Sequence, residues 1–266
     1  MTIIAPDLGI EVNDFVATVE IQRPPNNFFD AALIETLAAT FADMDADPGV
    51  RAIVLCSAGK HFCAGNNYGG KEDSAKSSMP RSATPPSEGN PIYTAAVKLF
   101  ATQTPVIAAI QGAAIGGGFG LALMPDFRVA CPEARFSANF VKLGFHPGFG
   151  LTHTLPRLIG QQQASLMFQT GKRIDGEEAA RIGLIDRLTS QDKLRDEARA
   201  LASEIAENAP LAVTSVRQTL RDGLPDAIKR ATDHEFAEQY RLQQTEDHKE
   251  GIRAVAERRP GNFEGR

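Results

Sequence analysis

The chain has 266 residues, a length that suits one large domain or one domain with an appendage. Hydrophobic residues make up 42% and charged residues 23%, as is usual for a soluble globular protein. The formal net charge is −5 and no basic stripe or tail is present, which argues against a nucleic-acid or anionic-membrane partner.

Cysteine usage and the first residues of the chain indicate a cytoplasmic protein. The three cysteines lie apart in apolar segments, a pattern typical of reduced thiols. The N-terminal sequence lacks the basic region and apolar core of a targeting peptide, and no apolar run reaches the ~18 residues of a membrane helix. Cys63, close to His61, is a candidate nucleophile, but a buried thiol is the favoured interpretation.

Strand and helix patterns alternate in the first part of the chain. The β-rich alternation at 15–21 predicts a strand, and the continuous apolar run 50–57 predicts a strand buried on both faces. Asp30 predicts the N-cap of a helix. The apolar residues that follow it at helical spacing are Leu33, Ile34, Leu37, Phe41 and Met44.

The segment 71–91 is polar and rich in Ser and Pro. Both a mobile lid beside a site and a plain linker fit this composition. The patterns after it predict a helix over 92–104 and a buried strand over 105–112.

The rest of the chain continues in the same order and then becomes helical. A glycine run, 116–118, opens an apolar helix, and 126–131 predicts a short strand. Asp175 predicts the N-cap of another helix, and from 191 onward the pattern is nearly all helical. We therefore expect an α/β protein whose sites lie at strand ends.

The glycine run does not have the spacing of a nucleotide-binding loop. A dinucleotide fingerprint that starts at Gly116 would need glycine at position 121, where the chain has Leu121. A bare backbone before an apolar helix offers unpaired N–H groups to a substrate oxygen, which predicts an oxyanion hole if a second N–H comes from the loop after 50–57. The alternative is that these glycines only allow tight helix packing.

Five blocks, in order over nearly the whole chain, resemble the crotonase, or enoyl-CoA hydratase/isomerase, superfamily: "GKHFCAGNN", "TPVIAAIQGAAIGGGFGLALMPDFRVAC", "ARFSANFVKLGFHPGFG", "QTGKRIDGEEAARIGLI" and "EDHKEGIRAVAERRPGNFEGR". The resemblance implies a crotonase-like spiral of ββα units over 1–190. It also implies a C-terminal helical region over 191–266 that forms homotrimers, often paired into hexamers. The implied substrates are acyl-CoA thioesters, with no metal and no cofactor apart from the coenzyme A of the substrate.

The resemblance also assigns roles to residues. The N–H groups of Asn66 and Gly117 would stabilise a thioester enolate, and the loss of one such donor costs about 10²–10³ in rate. Basic residues near the C-terminus, such as Arg258 or Arg259 of a neighbouring subunit, would contribute to coenzyme A binding. The other expected substrate-binding residues are Arg23, Asn26, Ala64, Gly65, Asn67, Tyr68, Gly116, Gly120 and Phe140.

Three positions that carry acids in related enzymes carry none here. The two glutamates of the hydratases correspond to Gly120 and Phe140, and the aspartate of some isomerases and hydrolases corresponds to Gly148. Hydration needs a positioned acid–base, which none of these residues supplies. The resemblance combined with these differences argues against ordinary enoyl-CoA hydration, and the apolar replacements suit a bulky or aromatic acyl group.

Other residues are candidates for the missing proton transfer. His146 lies in the segment that carries acids elsewhere in the family and has a suitable pKa, although a histidine held in its turn by a backbone hydrogen bond is the alternative. Asn139 is expected to orient a carbonyl or a water, whereas Tyr93 is expected to pack. His61 and His153 are weaker candidates, and their spacing does not resemble a zinc site.

Three readings of the function remain open on the sequence. The first is an acyl-CoA enzyme with non-hydratase chemistry: isomerisation, decarboxylation, hydrolysis or retro-aldol (lyase) cleavage. The second is a non-catalytic acyl-CoA-binding protein or a degenerate subunit. The third is a hydratase that uses His146 with Asn139.

Overall fold

The computed structural model describes residues 2–5, 7–66, 87 and 89–266, so most of the polar segment 71–91 lies outside the described residues. The strands are β1 (Thr2–Ala5), β2 (Leu8–Asn13), β3 (Val16–Ile21), β4 (Ala52–Ser57), β5 (Val106–Ile110), β6 (Ala113–Ile115), β7 (Phe127–Ala130), β8 (Arg135–Ser137), β9 (Arg173–Asp175) and β10 (Arg187–Leu188).

The helices are α1 (Ala31–Ala46), α2 (Pro91–Phe100), α3 (Gly117–Ala122), α4 (Leu151–Thr170), α5 (Gly176–Arg181), α6 (Leu194–Ala206), α7 (Pro210–Leu220), α8 (Leu224–Leu242) and α9 (Glu246–Ala256). The 3-10 segments Asn139–Leu143 and Gln191–Lys193 lie between some of these helices. Within the described part of the chain, no helix is both long and apolar enough to span a bilayer.

The described strands form a larger sheet in the order β1-β2-β3-β4-β5-β7-β10 and a smaller sheet in the order β6-β8-β9. The pairs β1–β2 and β2–β3 are antiparallel, and the pairs from β3 to β10 are parallel. Every residue of β4 and β5 is buried, which confirms the predicted strands and accounts for their continuous apolar sequence.

The sheet is covered on both faces. Ile53 and Leu55 belong to the main core, which includes α1 and α2, whereas Ala52, Val54 and Cys56 pack in a second cluster with the small apolar residues of α6. Helix α6, which follows the predicted domain boundary at 190/191, therefore packs directly on the sheet. The division into two domains stays a prediction.

The predicted helix caps are confirmed. The carboxylate of Asp30 accepts the Leu33 N–H at 2.9 Å and begins α1, and Asp175 accepts the Glu178 N–H at 2.9 Å and begins α5. Such a cap is worth about 1 kcal/mol, because it satisfies an N–H group that the helix itself leaves unpaired.

Helix α2 ends at Phe100, earlier than the predicted residue 104. The carboxylate of Asp45 accepts the N–H groups of Gln103 at 2.9 Å and Thr104 at 2.8 Å, so these groups are satisfied outside a helix. Pro105 follows, and a residue before proline disfavours helical geometry. Both signals lie in the sequence, but the contact with Asp45 spans nearly 60 residues.

The loop after β4 is fastened to the smaller sheet at Cys63. Its N–H donates to Ala113 O at 2.9 Å, and its carbonyl accepts the Ile115 N–H at 3.1 Å. A Cβ atom added to Gly118 would lie 2.8 Å from both the carbonyl carbon and the Sγ of Cys63. The packing interpretation of the glycine run therefore holds for Gly118, which lets α3 approach this loop.

We expect Gly118→Ala to lower the free energy of unfolding by about 3 kcal/mol or more, because the new methyl group meets backbone atoms that cannot turn away. Gly49→Ala is the matched control, since its Cβ meets only the end of the Asp47 side chain, at 3.0 Å. Chemical denaturation of both variants measures the difference. Equal stabilities would show that the loop and α3 are not held in this close packing.

Glu235 of α8 holds the start of α4 through three hydrogen bonds. Its carboxylate is fully buried and accepts the Gly150 N–H at 2.8 Å, the Thr152 N–H at 3.0 Å and the Thr152 hydroxyl at 2.6 Å. Burial raises the pKa of this carboxyl to about 7, although the three hydrogen bonds act in the opposite direction. The turn that precedes α4 is thus tied to the C-terminal helices.

We expect Glu235 to make stability depend on pH between its ordinary pKa of 4.5 and its folded pKa of about 7. The folded state holds the proton more tightly, so the contribution of this group to stability falls as pH rises through that window and is constant above it. The free energy of unfolding of the wild type, measured relative to Glu235→Gln, should fall by up to about 3 kcal/mol from pH 4.5 to 8.

Denaturation curves at a series of pH values test this expectation. Glu207→Gln, which changes an exposed glutamate at the end of α6, is the control and should run parallel to the wild type. Parallel curves for Glu235→Gln as well would mean that the buried carboxyl titrates at its ordinary pKa.

Candidate active site

Two loops that the sequence assigns to substrate binding lie side by side. The Ala64 N–H donates to Asn26 O at 2.9 Å, and the Phe29 N–H donates to Gly65 O at 3.1 Å. The turn after β3 and the loop after β4 are therefore joined by backbone hydrogen bonds, which brings Asn26, Ala64 and Gly65 together as the sequence predicts.

The buried amide of Asn27 organises this junction. Its Nδ2 donates to Ala58 O at 2.8 Å and to His61 O at 2.6 Å, and its Oδ1 accepts the Arg23 N–H at 2.9 Å. These three bonds tie both loops to one side chain. The sequence shows Asn27 only as part of a turn and gives no sign of this role.

Arg23 is paired with two carboxylates at the edge of the same junction. Its guanidinium lies 2.6 Å from Asp7 Oδ2 and 2.9 Å from Asp30 Oδ1. Partial burial disfavours the charged form, but the hydrogen bonds and charges of Asp7 and Asp30 outweigh it, so the pKa of Arg23 is raised. Its predicted contact with coenzyme A would have to be made beside these partners.

The loop that carries Asn66 reaches the glycine run at Gly65. Gly65 has a φ of +85°, which lets the backbone pass where a side chain would not fit. A Cβ atom there would lie 2.6 Å from Ile115 O and 3.7 Å from the N of Gly117, the first residue of α3. The two segments expected to donate N–H groups are therefore neighbours.

Asn139 and Phe140 approach the glycine run from the 3-10 segment. A Cβ at Gly116 would lie 3.6 Å from Asn139 Oδ1 and 3.8 Å from Phe140 Cζ. The ring of Phe140 is buried and stacks with Phe145, whose centroid lies 6.4 Å away. The structure thus brings Gly116, Asn139 and Phe140 into one cluster.

Aromatic side chains fill the space beside α3. A Cβ at Gly117 would lie 2.6 Å from Cε1 of Phe29, and a Cβ at Gly120 would lie 2.6 Å from Cβ and 2.9 Å from Cδ1 of Phe149. The two rings lie against each other, with centroids 5.6 Å apart. Phe149 therefore occupies the place where a side chain at position 120 would begin.

His146 has a backbone contact within its own turn and a ring contact with helix α8. Its Nδ1 lies 2.8 Å from Pro147 O, and its ring meets His234 edge-on with centroids 5.8 Å apart. Burial lowers the pKa of His146, assisted by the charges of His234 and Arg241. The role of His146 in proton transfer stays a prediction.

A tyrosine hydroxyl covers Gly148. A Cβ at Gly148 would lie 3.0 Å from Cζ of Tyr93 and 2.5 Å from Nε2 of Gln239, and closest of all to the Tyr93 oxygen. Tyr93 donates its hydroxyl hydrogen to Gln239 Oε1 at 2.7 Å, and its ring meets Phe236 edge-on. The ring packs as the sequence predicts, but the position of its hydroxyl could not be foreseen.

The remaining candidate residues, Cys63, His61 and His153, are buried or half-buried in the fold. Cys63 is fully buried, and burial raises the pKa of its thiol to about 12, which disfavours a nucleophile. His61 accepts the Ala113 N–H at 3.1 Å, and burial lowers its pKa and that of His153. The described residues contain no group of three or more His, Cys, Asp or Glu that could hold a metal ion. Asn67 and Tyr68 lie outside the described residues.

Comparisons with known proteins give one consistent result. The family model "Enoyl-CoA hydratase/isomerase" matches residues 11–266. The chain is 36% identical to an (E)-benzylidenesuccinyl-CoA hydratase from Thauera aromatica, over 96% of this chain and 98% of the relative. It is 34% identical to a crotonyl-CoA hydratase from Syntrophomonas wolfei subsp. wolfei, over 96% of each chain.

The fold comparison agrees with the sequence comparison. The crystal structure of an enoyl-CoA hydratase/isomerase from Pseudoalteromonas atlantica T6c superimposes with a TM-score of 0.84 and 27% identity, covering 97% of this chain and all of the other. The described elements, with their mixed α/β sheets and C-terminal helices, therefore form the crotonase-like fold that the motifs implied. The chain belongs to the enoyl-CoA hydratase/isomerase family.

Proposed function

We propose that this chain is an acyl-CoA enzyme in which the N–H groups of Asn66 and Gly117 bind the thioester oxygen. The observation that carries the proposal is the close approach of Gly65 to the N of Gly117, which places the two expected donor segments side by side. Two such donors stabilise the negative charge that develops on the oxygen of an enolate. Coenzyme A would bind along the adjoining loops, with Arg23, Asn26, Ala64, Asn67 and Tyr68.

The reaction we propose does not use the two-glutamate mechanism of hydration. Phe149 fills the space at Gly120, and Phe140 is itself part of the aromatic cluster, so neither position offers a carboxylate. Isomerisation, decarboxylation, thioester or C–C hydrolysis and retro-aldol cleavage all make use of an oxyanion. Among these, decarboxylation demands least of an acid–base, because loss of the carboxylate itself creates the enolate.

The acyl group that suits this site is bulky or aromatic. Phe29, Phe149 and Phe140 lie around Gly116, Gly117 and Gly120, and aromatic rings favour edge-on or offset contacts with one another. The relative from Thauera aromatica supports this reading, since its name describes a benzylidene-substituted thioester.

A hydratase is the second candidate, because the relatives reported above are named as hydratases. It requires an acid–base other than a glutamate, and Asn139 with His146 is the pair that the sequence offers. His146 also has an edge-on ring contact with His234 of α8. A non-catalytic acyl-CoA-binding subunit is the remaining alternative, and tight binding without turnover would support it.

We also propose assembly into trimers or hexamers. Helix α7 exposes Leu211, Val216 and Leu220, with exposed fractions of 86%, 60% and 74%. Apolar side chains this exposed on one helix favour contact with a second copy of the chain. Light scattering after size-exclusion chromatography measures the assembly directly.

The proposed non-hydratase reaction is tested with a panel of thioesters: crotonyl, longer enoyl, malonyl-type and aryl-substituted acyl-CoA. We expect turnover of an aryl-substituted substrate, with mass spectrometry identifying loss of carbon dioxide, free coenzyme A, a cleavage product or an isomer. Solvent deuterium incorporated at Cα would report the enolate.

Water addition to the enoyl substrates at a rate comparable to that of the aryl substrate would overturn the non-hydratase proposal. Loss of that hydration in His146→Ala would then assign His146 as the acid–base. Binding of several thioesters without any product would instead support the non-catalytic reading.

A further prediction concerns position 120. Gly120→Glu should not create hydratase activity and should lower the free energy of unfolding, because its Cβ meets Phe149 at 2.6 Å. Phe149→Gly removes the obstructing Cβ and suits the φ of +62° at that position. In a double-mutant cycle we expect a favourable coupling of about 1–3 kcal/mol between the two substitutions. Additive effects would show that Phe149 does not occupy the space beside Gly120.

A further inference from the structure

A small cleft lies at the opposite end of α3 from the expected N–H donors. Its walls come from the end of α2, the segment after α3, the first half of α4 and the junction between α7 and α8. Leu123 and Met124 of this cleft directly follow α3, whereas Gly117 begins that helix, which is about 9 Å long. The cleft and the proposed oxyanion hole therefore occupy different ends of the helix.

Arginine side chains outnumber carboxylates at this cleft. Among the described residues that line it, Arg128, Arg157 and Arg221 are cationic and only Asp126 is acidic. A fourth arginine, Arg217, pairs with the same aspartate: its Nε lies 2.9 Å from Asp126 Oδ2, and Arg221 Nη1 lies 2.8 Å from Oδ1. One carboxylate therefore neutralises two guanidinium groups, which leaves an excess of positive charge.

Two buried guanidinium nitrogens of this cluster have no hydrogen-bond partner among the described residues. They are Nη2 of Arg217, whose side chain is only 8% exposed, and Nε of Arg221. Arg128, in contrast, is fully paired, with Asp186 at 3.2 Å and with three backbone carbonyl groups. Buried donors almost always have a partner, so the two unpaired nitrogens indicate that a further hydrogen-bond acceptor belongs in this cluster.

The charges of the cluster favour an anionic acceptor over a neutral one. Burial lowers the pKa of Arg221, and the charges of Arg217 and Arg128 act in the same direction, although Asp126 opposes them. A bound anion would reduce this repulsion between guanidinium groups. Arg157 lines the cleft from α4, is exposed, and makes no hydrogen bond or ion pair within the described part of the chain. Its guanidinium is therefore available to a ligand.

The size and the other walls of the cleft indicate which anion fits. The cleft encloses about 160 Å³, and an apolar cavity of about 150 Å³ accommodates benzene. Its apolar lining residues are Phe100, Leu123, Met124, Pro125, Leu158 and Leu224.

We propose that this cleft is a binding site for a small organic carboxylate of about the size of benzoate. The carboxylate pairs with Arg157 and Arg221, and the apolar part of the ligand packs on the apolar walls. Binding here does not depend on the proposed function, because none of the residues expected to bind the thioester lines the cleft.

Titration calorimetry of the full-length protein tests this site with benzoate, its neutral analogue benzamide, and inorganic phosphate. We expect benzoate to bind about tenfold more tightly than benzamide or better, because only a carboxylate forms charge-assisted hydrogen bonds with guanidinium groups. Benzoate should also bind more tightly than phosphate, which has no apolar part to bury.

The substitution Arg157→Gln should weaken benzoate binding about tenfold and leave benzamide binding unchanged. Arg230→Gln on α8 is the matched control, because both arginines are exposed and lie near His153 but only Arg157 lines the cleft. Leu158→Trp adds volume at the cleft wall and should weaken the binding of both benzoate and benzamide. Thermal denaturation of each variant confirms that it is folded before binding is compared.

Several results would contradict the proposed site. Equal binding of benzamide and benzoate would show that no anion is recognised, and equal binding of phosphate would show that the apolar walls do not contribute. Benzoate binding that survives both Arg157→Gln and Leu158→Trp would lie elsewhere on the protein. An equal loss in Arg230→Gln would reflect overall charge alone, and no binding at millimolar benzoate would exclude the site. The thioester panel tests the proposed function separately from all of these results.

Discussion

The contact between the Cys63 loop and the start of α3 is the constraint on which the site depends. The loop pairs with β6 through Cys63, and Gly118 admits the loop backbone to van der Waals contact with the helix. This contact sets the distance between Gly65 and Gly117, and hence between the two expected donors. Under the proposed function, a rigid pair of N–H groups needs no reorganisation when charge develops, so the precision of this packing would bear on enolate stabilisation. The buried thiol of Cys63 belongs to the same packing.

Gly117, Gly118 and the nearby Gly120 have different structural roles that the sequence motif does not distinguish. Gly118 permits the approach of the loop, Gly117 lies under the ring of Phe29, and Phe149 occupies the space beside Gly120. The rings of Phe29 and Phe149 therefore make the surroundings of this part of α3 apolar. Apolar surroundings lower the local dielectric, which strengthens the interaction of charged groups with backbone N–H groups.

Local signals predicted most of the fold. The caps at Asp30 and Asp175 and the continuous apolar run of β4 act over a few residues, and each is found as predicted. The early end of α2 was missed because Asp45, far away in the chain, satisfies the backbone there. Within the candidate site, Gly116, Asn139 and Phe140 lie beside each other, and their roles stay predictions. They could not reveal Phe29 and Phe149 as neighbours, or the pairing of Tyr93 with Gln239, because these contacts join elements up to 146 residues apart.

Helix α8 holds the turn before α4 through an amide group and through a carboxyl group that is easily neutralised. Gln239 holds the carbonyl groups of His146 and Pro147, and Glu235 holds the N–H groups of Gly150 and Thr152. Burial raises the pKa of the Glu235 carboxyl to about 7, so this group is partly protonated at neutral pH. Helix α8 therefore holds both the carbonyl groups and the N–H groups of this turn without a permanently charged side chain.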